Sequence, residues 1–229
     1  MPTLGELYKI GGTLTWFNHY SVQQAIKSGV DPMRFDAVGI DGQLLRFLLK
    51  KGSTTSSADI DMPDLIRTQS PTVGLIGGTK SNSAMHAENF RKAFPNATIL
   101  WSFDGFGGST SVKAARTISA KRPDLILVGM GPGKQELEAI RLKNFLSSTP
   151  GRTLIATCGG WLDQLGMDNY YPSVAKTLNI RWVFRLFREP KRLWKRYTFF
   201  GMTAVLRRKK IVSYCSGMRS LDFDNRHNK

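Results

Sequence analysis

The sequence predicts an α/β fold built on a doubly wound parallel sheet, and three observations support this prediction. First, a short apolar segment, a glycine turn and a further structured segment follow one another four times along the chain. Second, the apolar segments are continuous rather than alternating, which is typical of strands covered by helices on both faces. Third, all four glycine turns fall at the carboxyl ends of strands, where open α/β sheets bind ligands.

These four units occupy residues 72–160. Their predicted strands are residues 73–76, 97–101, 125–128 and 153–157. The glycine turns that follow them are residues 77–78, 104–109, 129–133 and 159–160. Helices are predicted at residues 83–94, from the second glycine turn to residue 121, and at residues 135–146. A Rossmann-like arrangement accounts for this repetition better than any other layered fold.

The first 60 residues are less regular. Residues 14–17 are a predicted short strand, and Ser21 is the candidate N-cap of a helix at residues 22–28. A second apolar segment ends at Asp41, whose carboxylate fits either a helix cap or a functional site, and position alone favours the cap. Residues 51–59 are small and polar and predict a surface loop.

The stretch RPDLILVGMGPGKQELEAI at residues 122–140 carries the strongest local signal. Its apolar segment leads into a turn that contains Gly129, Gly131 and Gly133, and Lys134 then opens a helix. Free backbone N–H groups and the positive helix end make such a turn an anion site. The turn is neither a Walker A loop nor a dinucleotide fingerprint, because only three residues separate Gly129 from Gly133 and Lys134 replaces the fingerprint's third glycine. Two interpretations stay open: another kind of phosphate or sugar loop, or a plain turn.

Charge is the unusual bulk property of this chain. The 229 residues carry a formal net charge of +16, with an isoelectric point near 10.2. The charge is concentrated at one end, since residues 181–229 carry a net +11 and the first 180 residues a net +5. This balance predicts a polyanionic partner: nucleic acid, an anionic membrane surface or phosphorylated substrates.

We predict an α/β domain at residues 1–178 and a basic appendage at residues 179–229 that forms an amphipathic helix. Pro190 fits the first turn of that helix. Its apolar stripe would consist of Leu193, Trp194 and Tyr197. Arginine and aromatic residues interleaved on one helix suit an anionic lipid interface or a phosphate backbone. A terminal helix that docks on the core and exposes a solvated basic face is the alternative.

Cysteine and histidine are sparse. The two cysteines and three histidines form no disulfide framework and no metal-ligand spacing. The N-terminus lacks a basic start followed by a long apolar segment, so no signal peptide is predicted. These features predict a cytoplasmic protein.

At two stretches the chain resembles the WecG/TagA/CpsF family of glycosyltransferases. The stretches are PDLILVGMGPGKQE at residues 123–136 and RWVFRLFREPKRLWKRY at residues 181–197, within a resemblance that extends over residues 14–197. The positions that match the family pattern in the second stretch are Arg185, Glu189, Pro190, Arg192, Leu193, Arg196 and Tyr197. The chain departs from the pattern at Gly133, where the family usually has proline.

The resemblance implies an inverting transfer of a sugar from a nucleotide-sugar donor, commonly UDP-linked, to a polyprenyl-diphosphate-linked acceptor in bacterial surface polysaccharide synthesis. Asp41 and Gly42 look like the family's Asp-Gly pair, whose aspartate is the proposed general base. Asn18 looks like the family's early asparagine and is a candidate donor contact. The same resemblance places the protein on the inner face of the cell membrane as a peripheral protein. The sequence leaves the oligomeric state open.

Further site residues follow from the glycine turns and the arginines. The remaining candidate donor contacts are Gly77, Gly78, Gly131, Lys134, Gln135 and Glu136, the last of which could instead simply open its helix. Guanidinium groups match phosphate oxygens, so the candidate phosphate and acceptor contacts are Arg185, Arg192 and Arg196. The D-x-D triplet at residues 59–61 follows a polar loop rather than a strand. We therefore expect a reaction without metal and without a cofactor.

Two other classes of protein would account for part of the sequence. A basic α/β protein that binds or modifies RNA would explain the charge, but it does not explain Asp41-Gly42 or the Lys-Gln-Glu turn. A nucleotide-binding scaffold would bind the donor but would not catalyse sugar transfer. The transferase accounts for the most residues, so no nucleic-acid partner is expected.

Overall fold

The computed structural model describes residues 2–51, 56–107, 112–148, 150–166 and 190–221. Within them the strands are β1 Gly12–Phe17, β2 Ala37–Ile40, β3 Thr72–Gly77, β4 Thr98–Phe103, β5 Leu125–Gly129 and β6 Leu154–Thr157. They form one sheet in the order β2-β1-β6-β5-β3-β4, and every neighbouring pair is parallel. The predicted fold class is confirmed, and the predicted strands fall within one or two residues of the observed ones.

Helices connect the strands and cover both faces of the sheet. In the α/β part they are α1 Leu4–Ile10, α2 Ser21–Lys27, α3 Gln43–Leu49, α4 Ala58–Gln69, α5 Lys80–Ala93, α6 Val112–Ala120, α7 Lys134–Leu146 and the short α8 Trp161–Gln164. A 3₁₀ turn at Pro32–Arg34 precedes β2. Alternate residues of β5 point to opposite cores, since Leu125 and Leu127 join one apolar cluster while Ile126 and Val128 join the other. Both faces of the sheet are therefore buried, as continuous apolar strands require.

The first 60 residues hold two departures from the sequence prediction. Ser21 is the first residue of α2 and not its cap; the Oδ1 atom of Asn18 instead accepts hydrogen bonds from the backbone N–H groups of Tyr20 and Ser21, at 3.0 and 2.8 Å. The loop predicted at residues 51–59 is wrong at its end, because α4 begins at Ala58 and places Asp59 in its first turn. An acidic residue there is favoured by the positive helix end.

Three further helices lie at the basic end of the chain: α9 Pro190–Tyr197, α10 Phe199–Leu206 and α11 Arg208–Cys215. Ala204 and Ile211 are buried in the cluster that also contains residues of α2 and α3. The Oγ1 of Thr203 donates to the Oε1 of Gln23 at 2.9 Å, and the hydroxyl of Tyr214 donates to the carbonyl of Val30 at 2.7 Å. The helical appendage is therefore packed on the α/β core.

The chain returns to the sheet after α11. The backbone N–H of Val38 donates to the carbonyl of Arg219 at 2.8 Å, and the N–H of Leu221 donates to the carbonyl of Val38 at 3.1 Å. The predicted domain boundary at residue 178 lies outside the described residues. In the described part of the chain, no helix is both long enough and apolar enough to cross a membrane.

Candidate functional site

A cavity of about 300 Å³ opens at the carboxyl ends of the strands. Residues that follow each of the six strands line it, as the parallel topology requires. Seven of the residues predicted from sequence are among those lining it: Asn18, Asp41, Gly78, Gly131, Lys134, Gln135 and Arg196. Residues from five distant parts of the chain thus meet in one space.

The other predicted residues are not part of this lining. Gly77 lies at the end of β3, where a Cβ atom would come within 2.5 Å of the carbonyl oxygen of Gly129. The glycine therefore permits two strands to pair closely. Glu136 is fully buried behind the cavity. Arg185 lies outside the described residues, and Arg192 is placed on α9 without a described side chain.

Asp41 lies directly after β2, on the cavity wall. Its backbone N–H donates to the carbonyl of Phe17 at 2.8 Å, which joins the end of β2 to the end of β1. Gly42 follows with a φ of +80° and starts α3. The carboxylate is thus held on the turn between a strand and a helix, where backbone contacts fix its position.

A buried arginine lies behind Asp41, and the sequence interpretation missed it. Arg46 donates from Nε and from an Nη atom to the carbonyl of Ile40, both at 3.2 Å. Burial lowers the pKa of Arg46, whereas the nearby carboxylates of Asp41 and Asp61 raise it. The available signal was a single arginine inside the apolar run LLRFLLKK, which amphipathicity alone does not distinguish from a solvated residue.

The turn after β5 is held by its own helix. Glu136 accepts from the backbone N–H of Gly133 at 2.5 Å, which caps α7, and from the side-chain amide of Gln135 at 2.9 Å. The Oε1 of Gln135 in turn accepts from the N–H of Gly159 at 3.0 Å. Burial raises the pKa of Glu136, and these hydrogen bonds oppose that rise. Gln135 and Glu136 therefore tie the turn after β5 to the turn after β6.

Lys134 faces an aromatic ring across the cavity mouth. Its Nζ atom lies 5.6 Å from the ring centroid of Phe106, and both residues line the cavity. Phe106 follows β4 and is 75% exposed, which is unusual for a phenylalanine. The glycine turn that contains it was predicted, but nothing in the sequence indicated the contact with Lys134.

Arg196 reaches the cavity because α9 is attached to the turn after β1. The Nε2 of His19 lies 3.0 Å from the carbonyl of Arg196, and since a carbonyl only accepts, Nε2 is the donor. The guanidinium carbon of Arg196 lies 4.4 Å from the ring centroid of Tyr20. Burial is the main cause that lowers the pKa of His19. The appendage thus supplies one cation to the site.

The charges of the cavity are mixed, in contrast to the basic chain as a whole. Its described lining contains three carboxylates, from Asp41, Asp59 and Asp163, and two cations, from Lys134 and Arg196. Among the described residues, no group of three or more His, Cys, Asp and Glu side chains is arranged to hold a metal ion. Carboxylates accept hydrogen bonds and protons from hydroxyl groups, while the cations bind anions, so the cavity suits a ligand with both.

Comparison with known families agrees with this chemistry. A sequence model of the glycosyl transferase WecG/TagA/CpsF family matches residues 33–214, from before β2 to the end of α11. A comparison with curated proteins gave no match. The match includes Asp41, Lys134 and Arg196, all of which line the cavity. The chain therefore belongs to the WecG/TagA/CpsF family of glycosyltransferases, whose substrates are a nucleotide-sugar donor and an acceptor.

Proposed function

We propose that this protein moves a sugar from a UDP-sugar to a polyprenyl-diphosphate-linked saccharide, with inversion, during bacterial surface polysaccharide synthesis. The observation that carries the proposal is the meeting of one carboxylate, Asp41, with two cations, Lys134 and Arg196, in one cavity. A glycosyl transfer to an alcohol needs a proton acceptor and a group that stabilises the departing phosphate. Both kinds of group are present: Asp41 follows β2, Lys134 begins α7 and Arg196 lies on α9.

The proposed chemistry is a single displacement at the anomeric carbon. The acceptor hydroxyl attacks that carbon while Asp41 takes its proton, and the bond to the donor phosphate breaks with its electron pair on the nucleoside diphosphate. The new negative charge on the diphosphate is met by Lys134 and Arg196 and by the N-terminus of α7. With these fixed positive groups, the reaction we propose needs neither metal nor cofactor.

The donor is proposed to lie across the turns after β1, β3 and β5. Asn18 uses Oδ1 to hold its own turn, which leaves Nδ2 to donate to a ligand. Gly131 has a φ of +83° and open space around its Cα, so its backbone can approach a phosphate closely. The family resemblance adds Arg185 and Arg192 as phosphate contacts of the donor or the acceptor.

The lipid-linked acceptor is proposed to reach the site from an anionic membrane surface on the cytoplasmic side. Support comes from the exposed face of the basic end of the chain. Its exposed apolar side chains include Trp194, Phe199, Met202, Val205 and Leu206, and its exposed basic side chains include Lys195, Arg207, Arg208, Lys209 and Lys210. Apolar and cationic groups on one surface are what an interfacial protein needs. No specific observation favours a nucleic-acid partner.

The deciding experiment is transfer from a panel of UDP-sugars to a short-chain lipid-diphosphate-sugar acceptor, with EDTA present. We expect product from one donor and at least a hundredfold loss of turnover in Asp41→Asn, which keeps the shape of the side chain but not its basicity. Asp64→Asn, an exposed change on α4, is the control and should keep full activity. Turnover by Asp41→Asn within a few-fold of the wild type would refute the base assignment. Product that forms only when EDTA is omitted would refute metal independence.

A further inference from the structure

A buried histidine supports one of the cavity carboxylates. His86 lies on α5 and is 2% exposed, and its Nε2 atom lies 2.8 Å from Oδ1 of Asp163 on α8. The side chain of Asp163 is 56% exposed, and Asp163 lines the cavity. The two residues are 77 positions apart in the chain, so the pair exists only in the folded protein.

The hydrogen-bond pattern assigns the tautomer of His86. A carboxylate accepts, so Nε2 carries the proton that is shared with Asp163. Among the described residues, the buried Nδ1 atom of His86 has no hydrogen-bond partner. A proton on that atom would be a buried donor without an acceptor, which costs more free energy than a bare ring nitrogen. His86 therefore donates from Nε2, and this hydrogen bond orients the carboxylate of Asp163.

The turn after β3 is shaped to admit this imidazole. Gly78 has a φ of +68°, and a Cβ atom at that position would lie 2.7 Å from Cε1 and 3.0 Å from Nδ1 of His86. A larger residue at position 78 would displace the ring that holds Asp163. The glycine predicted as a donor contact therefore has a second purpose, which is to let a histidine stand behind the cavity wall.

The charges of the site indicate what Asp163 faces. A diphosphate would be repelled by a fixed carboxylate and is better placed against Lys134 and Arg196. Hydroxyl groups are attracted, since a carboxylate has two oxygens and accepts several hydrogen bonds. Acidic side chains at the ends of α/β strands bind the hydroxyls of a ribose in this way.

We propose that Asp163, oriented by His86, binds a vicinal pair of hydroxyl groups on the donor and so determines donor affinity. The proposal rests on the proposed function, since it requires a nucleotide-sugar in the cavity. The hydroxyls belong either to the ribose or to the transferred sugar, and both share the same diol chemistry. Asp163 is a binding residue in this scheme, and His86 is its positioning residue.

The test uses the full chain and compares Asp163→Asn with the wild type by calorimetric titration with UDP and 2′-deoxy-UDP, together with steady-state transfer. We expect the KM for the UDP-sugar to rise about tenfold or more while kcat stays within about threefold, because one charge-assisted contact is lost. If the diol is that of the ribose, UDP binding weakens equally, and 2′-deoxy-UDP, which keeps only the 3′-hydroxyl of the pair, differs less between the two proteins. If it belongs to the sugar, UDP binding is unchanged and only the KM rises.

His86 variants separate orientation from stability. His86→Gln keeps an N–H that reaches Asp163 and should keep the KM within about threefold, whereas His86→Leu should raise the KM as Asp163→Asn does. Adding His86→Leu to Asp163→Asn should bring little further loss. Asp64→Asn is again the matched control. A merely structural pair would lower thermal stability in His86→Leu and leave the KM unchanged.

Two failures have different meanings. Unchanged UDP binding and an unchanged KM in Asp163→Asn, in a protein that transfers sugar normally, would overturn this inference alone. A wild type that neither binds UDP nor transfers from any UDP-sugar would overturn the proposed donor, and the inference with it.

Discussion

The guanidinium of Arg46 donates two hydrogen bonds to the carbonyl of Ile40, the residue immediately before Asp41. Arg46 is buried, and the carboxylates of Asp41 and Asp61 both act on its charge. Asp61 is itself buried and accepts from Trp16 and Ser56, at 3.0 and 2.6 Å. One cation therefore fixes the end of β2 and attracts the proposed base as well as a structural carboxylate.

Arg46→Met is expected to damage both activity and stability. It removes both hydrogen bonds and leaves a buried carbonyl without its donor, so the free energy of unfolding should fall by about 2 kcal/mol. Turnover should fall at least tenfold, since the strand end that carries Asp41 loses its support. Arg46→Lys keeps the charge and loses the planar fork. Its free energy of unfolding and its turnover should therefore lie between those of the wild type and those of Arg46→Met. Denaturant unfolding and the transfer assay measure these effects.

The control for this prediction is Arg67→Met. Arg67 is an exposed arginine on α4 that pairs with Asp64 at 3.8 Å on the surface. Such pairs contribute little, so this variant should change the free energy of unfolding by less than about 1 kcal/mol. Equal effects of the two substitutions would show that the contact with Ile40 has no special role.

The sequence was enough to predict the sheet because its strands are apolar runs bounded by glycine, a local signal. Helix α1 was not predicted, although Thr3 and Glu6 form a capping box, for which the pattern T-x-x-E is the sequence signature. The start of α4 was not predicted, because the residues before it are polar and rich in serine and because Pro63, which lies inside the helix, usually disfavours a helix interior.

The candidate site was predictable where one segment carries the signal. Asp41, Lys134 and Arg196 each stand in a recognisable local pattern, and all three line the cavity. His86 and Arg46 have no such pattern. Their importance depends on contacts made across the fold, with Asp163 and with Asp61, and no local spacing encodes such contacts.

Gly133 and Gly131 offer a matched pair of substitutions within one turn. Both have positive φ, at +86° and +83°, but a Cβ at position 133 would overlap Oγ of Ser28, whereas position 131 is open. Gly131→Ala should therefore cost only the left-handed conformation, about 1 kcal/mol. Gly133→Ala should cost about 1–3 kcal/mol more, chiefly because Gly133 combines its positive φ with a ψ of −54°, a backbone conformation that residues with a Cβ rarely adopt. Denaturant unfolding of both variants measures the difference.

Relief of the overlap provides the control. Ser28→Gly combined with Gly133→Ala should recover only the part of the loss that the overlap with Ser28 causes, since the strained backbone at position 133 remains. Gly133→Pro should be the worst substitution, since proline cannot adopt this φ and lacks the N–H that Glu136 accepts. A stable Gly133→Pro protein would contradict the observed turn and favour the arrangement common in the family.

Glu136 predicts a pH-dependent stability. Burial raises its pKa in the folded state above the unfolded value of about 4.3. The folded state therefore binds the proton more tightly, and stability falls as pH rises from the unfolded pKa through the raised folded one. Glu136→Gln cannot ionise and lacks this fall. Relative to the wild type, its free energy of unfolding should thus increase between about pH 4 and about pH 7.

Denaturant unfolding of both proteins across that range tests the prediction. At low pH the wild type should be the more stable, since glutamine cannot reproduce every hydrogen bond made with Gly133, Gln135 and Thr15. A constant difference between the two proteins at every pH would contradict the raised pKa.

The exposed face of α10 is expected to bind membranes. Phe199, Met202 and Leu206 are exposed and follow the spacing of one helix face, while Ala204 is buried. Met202→Ser combined with Leu206→Ser should weaken binding to anionic vesicles at least tenfold, since each side chain contributes about 1.5–3 kcal/mol when buried. Co-sedimentation with phosphatidylglycerol vesicles measures this binding.

An exposed apolar residue outside α10 provides the control for the vesicle-binding experiment. Ile10 on α1 is 72% exposed, and Ile10→Ser should leave vesicle binding unchanged. Reversal of charge at Lys209 and Lys210 should weaken binding more at low salt than at high salt, because screening already reduces the attraction. Equal binding by the wild type and the α10 double variant would place the membrane contact elsewhere.

The attachment of α9 is expected to loosen in acid because of His19. Burial lowers the pKa of His19 below its usual value of about 6.5, so the folded state favours the neutral ring. The stability that this ring contributes is present above the usual pKa and is lost as pH falls through the lowered one. His19→Gln keeps an N–H for the carbonyl of Arg196 and cannot be protonated. Hydrogen exchange of α9 and α10, corrected for intrinsic rates, should therefore accelerate between about pH 7 and about pH 5 in the wild type and less in His19→Gln. Identical acceleration in the two proteins would show that His19 does not couple the appendage to pH.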